Sequence, residues 1–275
     1  MDLNTVETVS APRERAELWP LGPTDAVLAG GTWLFSEPQV ETRRLVDLAA
    51  LRWPSITVRD DGLELAATCT LAEVSALSRR LPAERAAWTA APLFHQCCSA
   101  LLASFKIWHT ATVGGNVCLS FPAGSMISLA SALDGEVVVW RPTGEDYQMP
   151  ITEFVTGASS NVLAVGEVLR ALRLPASALS GRTAFRKLAP SPLGRSGIVV
   201  IGRVDADGTF VLSITAATVR PYVFRLPAVD VELVRAAHAG IPSDAWTQDA
   251  HGDPDWRRGV SLVLAEEICA ELGHP

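Results

Sequence analysis

The stretch Ala111-Thr112-Val113-Gly114-Gly115-Asn116, with its upstream counterpart Leu28-Ala29-Gly30-Gly31-Thr32-Trp33-Leu34, decides how the rest of the chain is understood. In each, a pair of glycines follows an apolar residue. Lacking a Cβ, glycine reaches backbone conformations closed to other residues and lets a ligand approach the main chain. Consecutive N–H groups can then point into one concave turn that suits an anion. Two such turns together could grip one diphosphate. Either pair alone is also the composition of an ordinary tight turn, so the surrounding sequence has to discriminate.

The 275 residues are enough for one large domain or two modest ones, and two are expected here. Hydrophobic residues make up 48% and charged residues 19%, with a mean hydropathy of +0.23. Those values describe a soluble globular chain with some apolar surface covered by a partner. A formal charge of -7 without a Lys/Arg stripe argues against nucleic acid or an anionic membrane as the main partner. Met1 to Glu17 has neither the basic start nor the apolar core of a secretory signal, and no apolar run approaches the roughly 18 residues of a membrane span. A cytoplasmic location is the expectation. The five cysteines Cys69, Cys97, Cys98, Cys118 and Cys269 are odd in number and form no C-x-x-C pair. They suit reduced thiols, and neither an iron–sulfur cluster nor a structural zinc is expected within the chain.

Along the chain, Asp25 to Ala29 and Arg44 to Leu48 read as short strands around the first glycine pair. Ile56 to Val58 and Leu63 to Ala67 flank Asp60-Asp61-Gly62, a hairpin signal. Thr70-Leu71-Ala72-Glu73 has capping-box spacing, predicting a helix toward Arg80 that Pro82 ends. Glu84 to Phe105 predicts one or two helices leading into the second glycine turn, followed by a helix at Ser125 to Leu133 and a strand at Glu136 to Trp140. Leu169 to Leu174 stops at Pro175, and Ala176 to Gly181 reads as a linker. Beyond it, Thr183 to Leu188, Ile198 to Val204 and Phe210 to Ala216 predict a β-meander, closed by helices over Val229 to Ala239 and Trp256 to Leu272. In the last helix Trp256, Val260, Val263, Leu264, Ile268 and Leu272 share one face. This second unit is α+β.

Catalytic motifs are missing. There is no G-x-G-x-x-G, no G-x-x-x-x-G-K-[ST] and no G-x-S-x-G, and the five histidines lack a metal-ligand spacing. His109, just before the second glycine pair, either faces a ligand or is a hydrogen-bonded structural residue. Asp47, Asp134 and Glu136 are acid/base candidates that nothing pairs. A chain with two anion-ready turns and no machinery of its own fits a protein that holds a cofactor and lets it do the chemistry.

Val27 to Leu34, followed by Leu45-Val46-Asp47-Leu48 and Thr70-Leu71-Ala72-Glu73-Val74, resembles the opening of the FAD-binding subunit of molybdenum hydroxylases, the relatives of xanthine dehydrogenase and aerobic carbon monoxide dehydrogenase. The likeness continues through Ala111 to Cys118, Ser120-Phe121-Pro122-Ala123 and Leu133 to Val138. In the second unit, Phe185-Arg186-Lys187-Leu188, Ala216 to Pro221 and Trp256 to Val260 are similar to the family's aromatic-x-Lys segment, its Gly-Val-Ala-Pro-Arg-Pro stretch and the start of its terminal helix. Spacing and order agree from about Val27 to Leu272.

The resemblance implies an α+β, two-subdomain FAD-binding fold of the vanillyl-alcohol-oxidase type over residues 1–175 (about 1–55 and 56–175), then a C-terminal α+β domain over 176–275 that covers the isoalloxazine. It implies FAD held by Ala29, Gly30, Gly31, Thr32, Trp33 and Leu34 and by Ala111, Thr112, Gly114, Gly115 and Asn116, with backbone N–H donors at both turns. Lys187 would lie near the flavin's polar edge, Leu169 on the ring face, and Ser125 where the family commonly has Asp. Ile107-Trp108-His109 and Phe185 also depart from the family's Ile-Arg-Asn and Tyr, and Gly-Gly-Thr-Trp is unlike the His-Ser of the carbon monoxide branch. The implied role is electron transfer through FAD from the 2Fe–2S clusters of a small subunit, beside a large molybdopterin-binding subunit, in a dimer of heterotrimers that leaves this chain inert toward the organic substrate. The rivals are a non-catalytic assembly subunit of the same fold that has lost FAD, and a self-contained FAD oxidase, against which the length speaks.

Overall fold

A computed structural model of the chain describes residues 3–191 and 194–274. Strands β1 (Thr8–Ser10), β2 (Asp25–Leu28) and β3 (Arg44–Asp47) form a parallel sheet in the order β1-β3-β2. Asp25 and Arg44, opposite one another in the register, tie β2 to β3 by an ion pair of 2.6 Å. The first glycine pair follows directly from β2, so the sheet edge sets where it lies.

The Asp-Gly hairpin forms as expected between β4 (Ile56–Val58) and β5 (Gly62–Ala66). Helix α1 (Leu71–Glu84) starts at the capping box, where Glu73 accepts from the Thr70 N–H at 2.8 Å. It does not end at Pro82. That proline removes only its own N–H, and the Arg85 N–H still closes onto the Leu81 carbonyl at 2.7 Å, so one further turn survives. Between Glu84 and Phe105 only α2 (Pro92–Ala100) is helical. Pro92 occupies the helix start, where a missing N–H costs nothing, and the residues before it close turns instead. Two short helices follow, α3 (Phe105–Thr110) and α4 (Val113–Cys118), then α5 (Ser125–Ala132), which is buried on every face.

Strands β6 (Glu136–Trp140) and β7 (Tyr147–Pro150), a single helical turn α6 (Ile151–Phe154) and the small hairpin β8 (Val155–Gly157) and β9 (Ser160–Asn161) lead to β10 (Val168–Pro175). These complete an antiparallel sheet ordered β4-β5-β10-β6-β7. Its core draws on Leu65, Leu77, Phe94, Leu129, Val137, Phe154 and Leu172, which are buried together. The segment expected as a linker contains a helical turn, α7 (Ala176–Leu179), whose Ala178 and Leu179 are buried in that same core. Small residues there serve packing rather than flexibility.

The meander has four strands: β11 (Arg182–Leu188), β12 (Ile198–Val204), β13 (Phe210–Thr215) and β14 (Tyr222–Leu226), the last not expected from the sequence. Helices α8 (Val231–Ala239) and α9 (Pro254–Gly273) cover one face through Leu212, Ile214, Ala265 and Ile268. The opposite face is covered too. Val199 and Ile201 join the core of the preceding sheet, against α5. On α9, Val263 is 54% exposed, contrary to the expected face, because Arg257, Ser261, Ala265 and Cys269 take up the buried stripe. No described helix is long and apolar enough to cross a membrane.

Candidate functional site

A cavity of about 610 Å³ lies where the parallel sheet meets the five-stranded one, within the range of about 300–1,000 Å³ common for small-molecule sites. Ala29, Gly30, Gly31, Thr32, Trp33 and Leu34 form one side, and Ala111, Thr112, Gly114, Gly115 and Asn116 another. Leu169 from β10 completes the wall.

The two glycine segments do different work. After β2 the chain folds into a loose turn, with the Phe35 N–H on the Gly31 carbonyl at 2.9 Å. Gly31 has φ +70°, a left-handed conformation suited to glycine, and a Cβ there would meet the Phe35 ring at 2.4 Å. From Gly30 to Leu34, five successive residues of the cavity wall have backbone N–H groups with no hydrogen-bond partner among the described residues. A run of unpaired main-chain donors in the wall of a cavity suits an acceptor with several oxygens. A diphosphate meets that need.

The second segment is not an open turn. Thr112 caps α4, and Gly114 and Gly115 sit in its first turn. Their donors are already used: the Val113 N–H goes to Cys69, that of Gly114 to Ala67 at 2.8 Å, and that of Gly115 to Thr112 Oγ1 at 3.2 Å. The expected backbone cradle is therefore corrected at this position. Gly114 is required for packing instead, because a Cβ would come within 2.6 Å of the Ala67 Cβ. What this side offers a ligand is the Thr112 hydroxyl and the Asn116 side chain. Asn116 Oδ1 accepts from the Met126 N–H at 2.8 Å, and its amide nitrogen has no partner among the described residues.

Two expected contacts lie elsewhere. Lys187 does not line the cavity; its ammonium donates to the Ser99 carbonyl at 2.7 Å, at the C-terminal end of α2. Ser125 opens α5, is 1% exposed and does not reach the cavity. Nor does any residue beyond Leu169 line it, so the expected cover from the C-terminal sheet is absent among the described lining residues. His109 is exposed on α3, does not line the cavity, and its side chain has no hydrogen-bond partner among the described residues. Asp47 caps the turn after β3 by accepting from the Ala49 N–H, Asp134 pairs with Arg203 and Arg225, and Glu136 is exposed.

Several lining residues were not expected at the site from the sequence. Leu101, Leu102 and Ile107 come from the connection and helix before the second glycine segment, while Phe121 packs edge-on against Trp33 with ring centroids 5.0 Å apart. Glu167 is the one carboxylate in the described wall. Burial works against its charge, but the Ala164 N–H, the Arg141 guanidinium at 2.8 Å and the Tyr147 hydroxyl at 2.9 Å hold it below the usual carboxylate range. No lysine, arginine or histidine appears among the described lining residues. The site can hold an elongated ligand with an anionic middle and apolar ends.

Residues 6–177 match a family model described as the FAD binding domain in molybdopterin dehydrogenase. No curated protein sequence matches the chain. Among solved structures, quinoline 2-oxidoreductase from Pseudomonas putida 86 superposes with a TM-score of 0.77 at 17% identity, covering 98% of each chain. Reconstituted CO dehydrogenase from Oligotropha carboxidovorans gives 0.78 at 20% identity, covering 96% of each chain. Carbon monoxide dehydrogenase from Hydrogenophaga pseudoflava gives 0.75 at 20%, again covering 96% of each.

Proposed function

The chain belongs to the FAD-binding domains of the molybdopterin dehydrogenases, and from that premise we propose that it is the flavin-carrying electron-transfer subunit of a multi-subunit molybdenum hydroxylase. The observation that carries this reading is the run of five unpaired N–H groups at Gly30 to Leu34 on a cavity walled mostly by apolar side chains. FAD fits it: the diphosphate has its donors, and the ring systems have apolar walls.

Bound flavin supplies a carrier that takes two electrons and can exchange them singly with iron–sulfur clusters. The chain's part is to bind and orient. The Gly30 to Leu34 amides hold the anionic centre, and Thr112 Oγ1 with the Asn116 amide takes up hydroxyl groups beside it. Leu101, Ile107, Phe121, Leu163 and Leu169 exclude water from the ring systems. Glu167 stays charged and fixed by its three donors, so it can accept from an amine or hydroxyl at its end of the cavity. In this reading residues 1–175 form the FAD-binding domain and 176–275 the C-terminal domain. The electrons come from 2Fe–2S clusters in a small partner subunit, the large partner carries molybdopterin, and an external acceptor takes the electrons away.

The test is co-purification with the neighbouring chains. A yellow complex releasing close to equimolar FAD on denaturation, and bleaching when substrate is added, is expected. A folded complex without extractable flavin overturns the reading.

A further inference from the structure

Helix α5 carries Ser125, Ser128 and Ser131 at three-residue spacing, and β13 carries Ser213 and Thr215 at two-residue spacing. All five are at most 2% exposed. Ser128 Oγ and Thr215 Oγ1 share a hydrogen bond of 2.7 Å. Arg203, the register partner of Val211, donates to the Ala132 carbonyl at one end of this contact, and the Ala216 N–H donates to Pro122 at the other. Helix and strand therefore run antiparallel, so Ser131 and Ser213 are the next hydroxyl residues along the two elements from the bonded pair, toward the Arg203 end. Yet Ser131 Oγ and Ser213 Oγ both lack a partner among the described residues.

A buried hydroxyl left without a partner costs free energy, and two on a helix and a strand that pack together are an unusual coincidence in a dry core. Three helical residues rise by about 4.5 Å and two strand residues by about 7 Å, so the hydroxyls separate as they leave the bonded pair. One water bonded to both spans a gap of about 5 Å. It would have at least two polar partners, which a buried water needs. Val199 and Ile201, paired with Thr215 and Ser213 across the sheet, close the flank with apolar groups.

We propose that Ser131 and Ser213 bind an ordered water that clamps α5 to the C-terminal sheet. The clamp bears on the cavity, because Asn116 in the cavity wall holds the first turn of the same helix through the Met126 N–H. It does not depend on the flavin.

The test combines a high-resolution crystal structure with a double-mutant cycle of Ser131→Ala and Ser213→Ala, read as thermal midpoints. The clamp requires solvent density within hydrogen-bond distance of both Oγ atoms. Each single substitution is expected to lower the midpoint by about 2–4 °C, and the double variant by little more, since the water leaves with its first partner. Singles that leave the midpoint unchanged or raise it overturn the proposal, as does a direct bond between the two hydroxyls without solvent density. Flavin content, measured on the same preparations, reports separately on the functional reading.

Discussion

Gly30 lies so close to Thr110 that a Cβ built on it would stand 1.8 Å from the Thr110 carbonyl oxygen and 3.2 Å from Thr112 Cγ2. The first glycine segment is thus pressed against the second, and the absence of one methyl group lets the two walls of the cavity meet. Gly30→Ala has backbone, not a movable side chain, in its way. An overpacking cost of about 1–3 kcal/mol is expected, with flavin affinity reduced on the order of tenfold or more. Gly259→Ala is the comparison: nothing lies within 4 Å of its Cβ in α9, so it should raise stability by about 0.5–1 kcal/mol and leave flavin content unchanged. Denaturant midpoints and the flavin absorbance per chain check both.

Arg203 is 1% exposed, and its guanidinium meets Asp134, Asp205 and the Ala132 carbonyl. Burial alone would lower its pKa, but the two carboxylates raise it, so it stays charged. Arg203→Met strands Asp205 and the carbonyl and leaves Asp134 with Arg225 alone. Since Asp134 and Asp205 keep some solvent contact, a loss of about 2–4 kcal/mol is expected, below the full value for a buried pair. Arg225, more than half exposed on the same Asp134, should cost less than about 1 kcal/mol when replaced by Met. Equal losses from the two variants would refute this ranking.

His238 is buried, with Nε2 2.8 Å from Ser261 Oγ. The Ser261 hydroxyl donates to the Arg258 carbonyl, so it accepts from the imidazole N–H. Burial, helped by Arg258, depresses the His238 pKa below 6.5 against an opposing pull from Glu266. The unfolded chain therefore takes up a proton at a pH where the folded one does not. The stabilising contribution is complete above pH 6.5 and declines as pH falls from there toward the lower folded value. Thermal midpoints measured from about pH 8 to about pH 5 should fall more steeply for the wild type than for His238→Gln. Parallel slopes would remove this account.

Cys118 stands in the cavity wall, partly exposed, with its thiol pushed up to about 12 by burial. Maleimide labelling should be slow, since little thiolate is present. In the flavin-free chain Cys118 should still react faster than the fully buried Cys69, Cys97 and Cys98. Loading with FAD is expected to slow Cys118 labelling on the order of tenfold, as the ligand covers the wall beside it. Mass spectrometry of the labelled peptides distinguishes protection from no change, and no change would place the flavin outside this cavity.

The local signals told most about the backbone. The capping box at Thr70, the Asp-Gly hairpin and the strands flanking it formed where short-range rules put them, because each rests on neighbours within a few residues. The two glycine pairs, taken with the order of the segments around them, were enough to indicate the family and its flavin. What the sequence could not carry was how each hydrogen-bonding group is spent. Gly30-Gly31 and Gly114-Gly115 look alike in one dimension, yet the donors from Gly30 to Leu34 are unpaired while those of Gly114 and Gly115 are bound to Ala67 and Thr112. Lys187 looked like a partner for the flavin until the sheet brought its ammonium to the Ser99 carbonyl, 88 residues away in sequence. Pairing of this kind depends on which chain segment packs alongside, and only the folded arrangement of sheets and helices decides that.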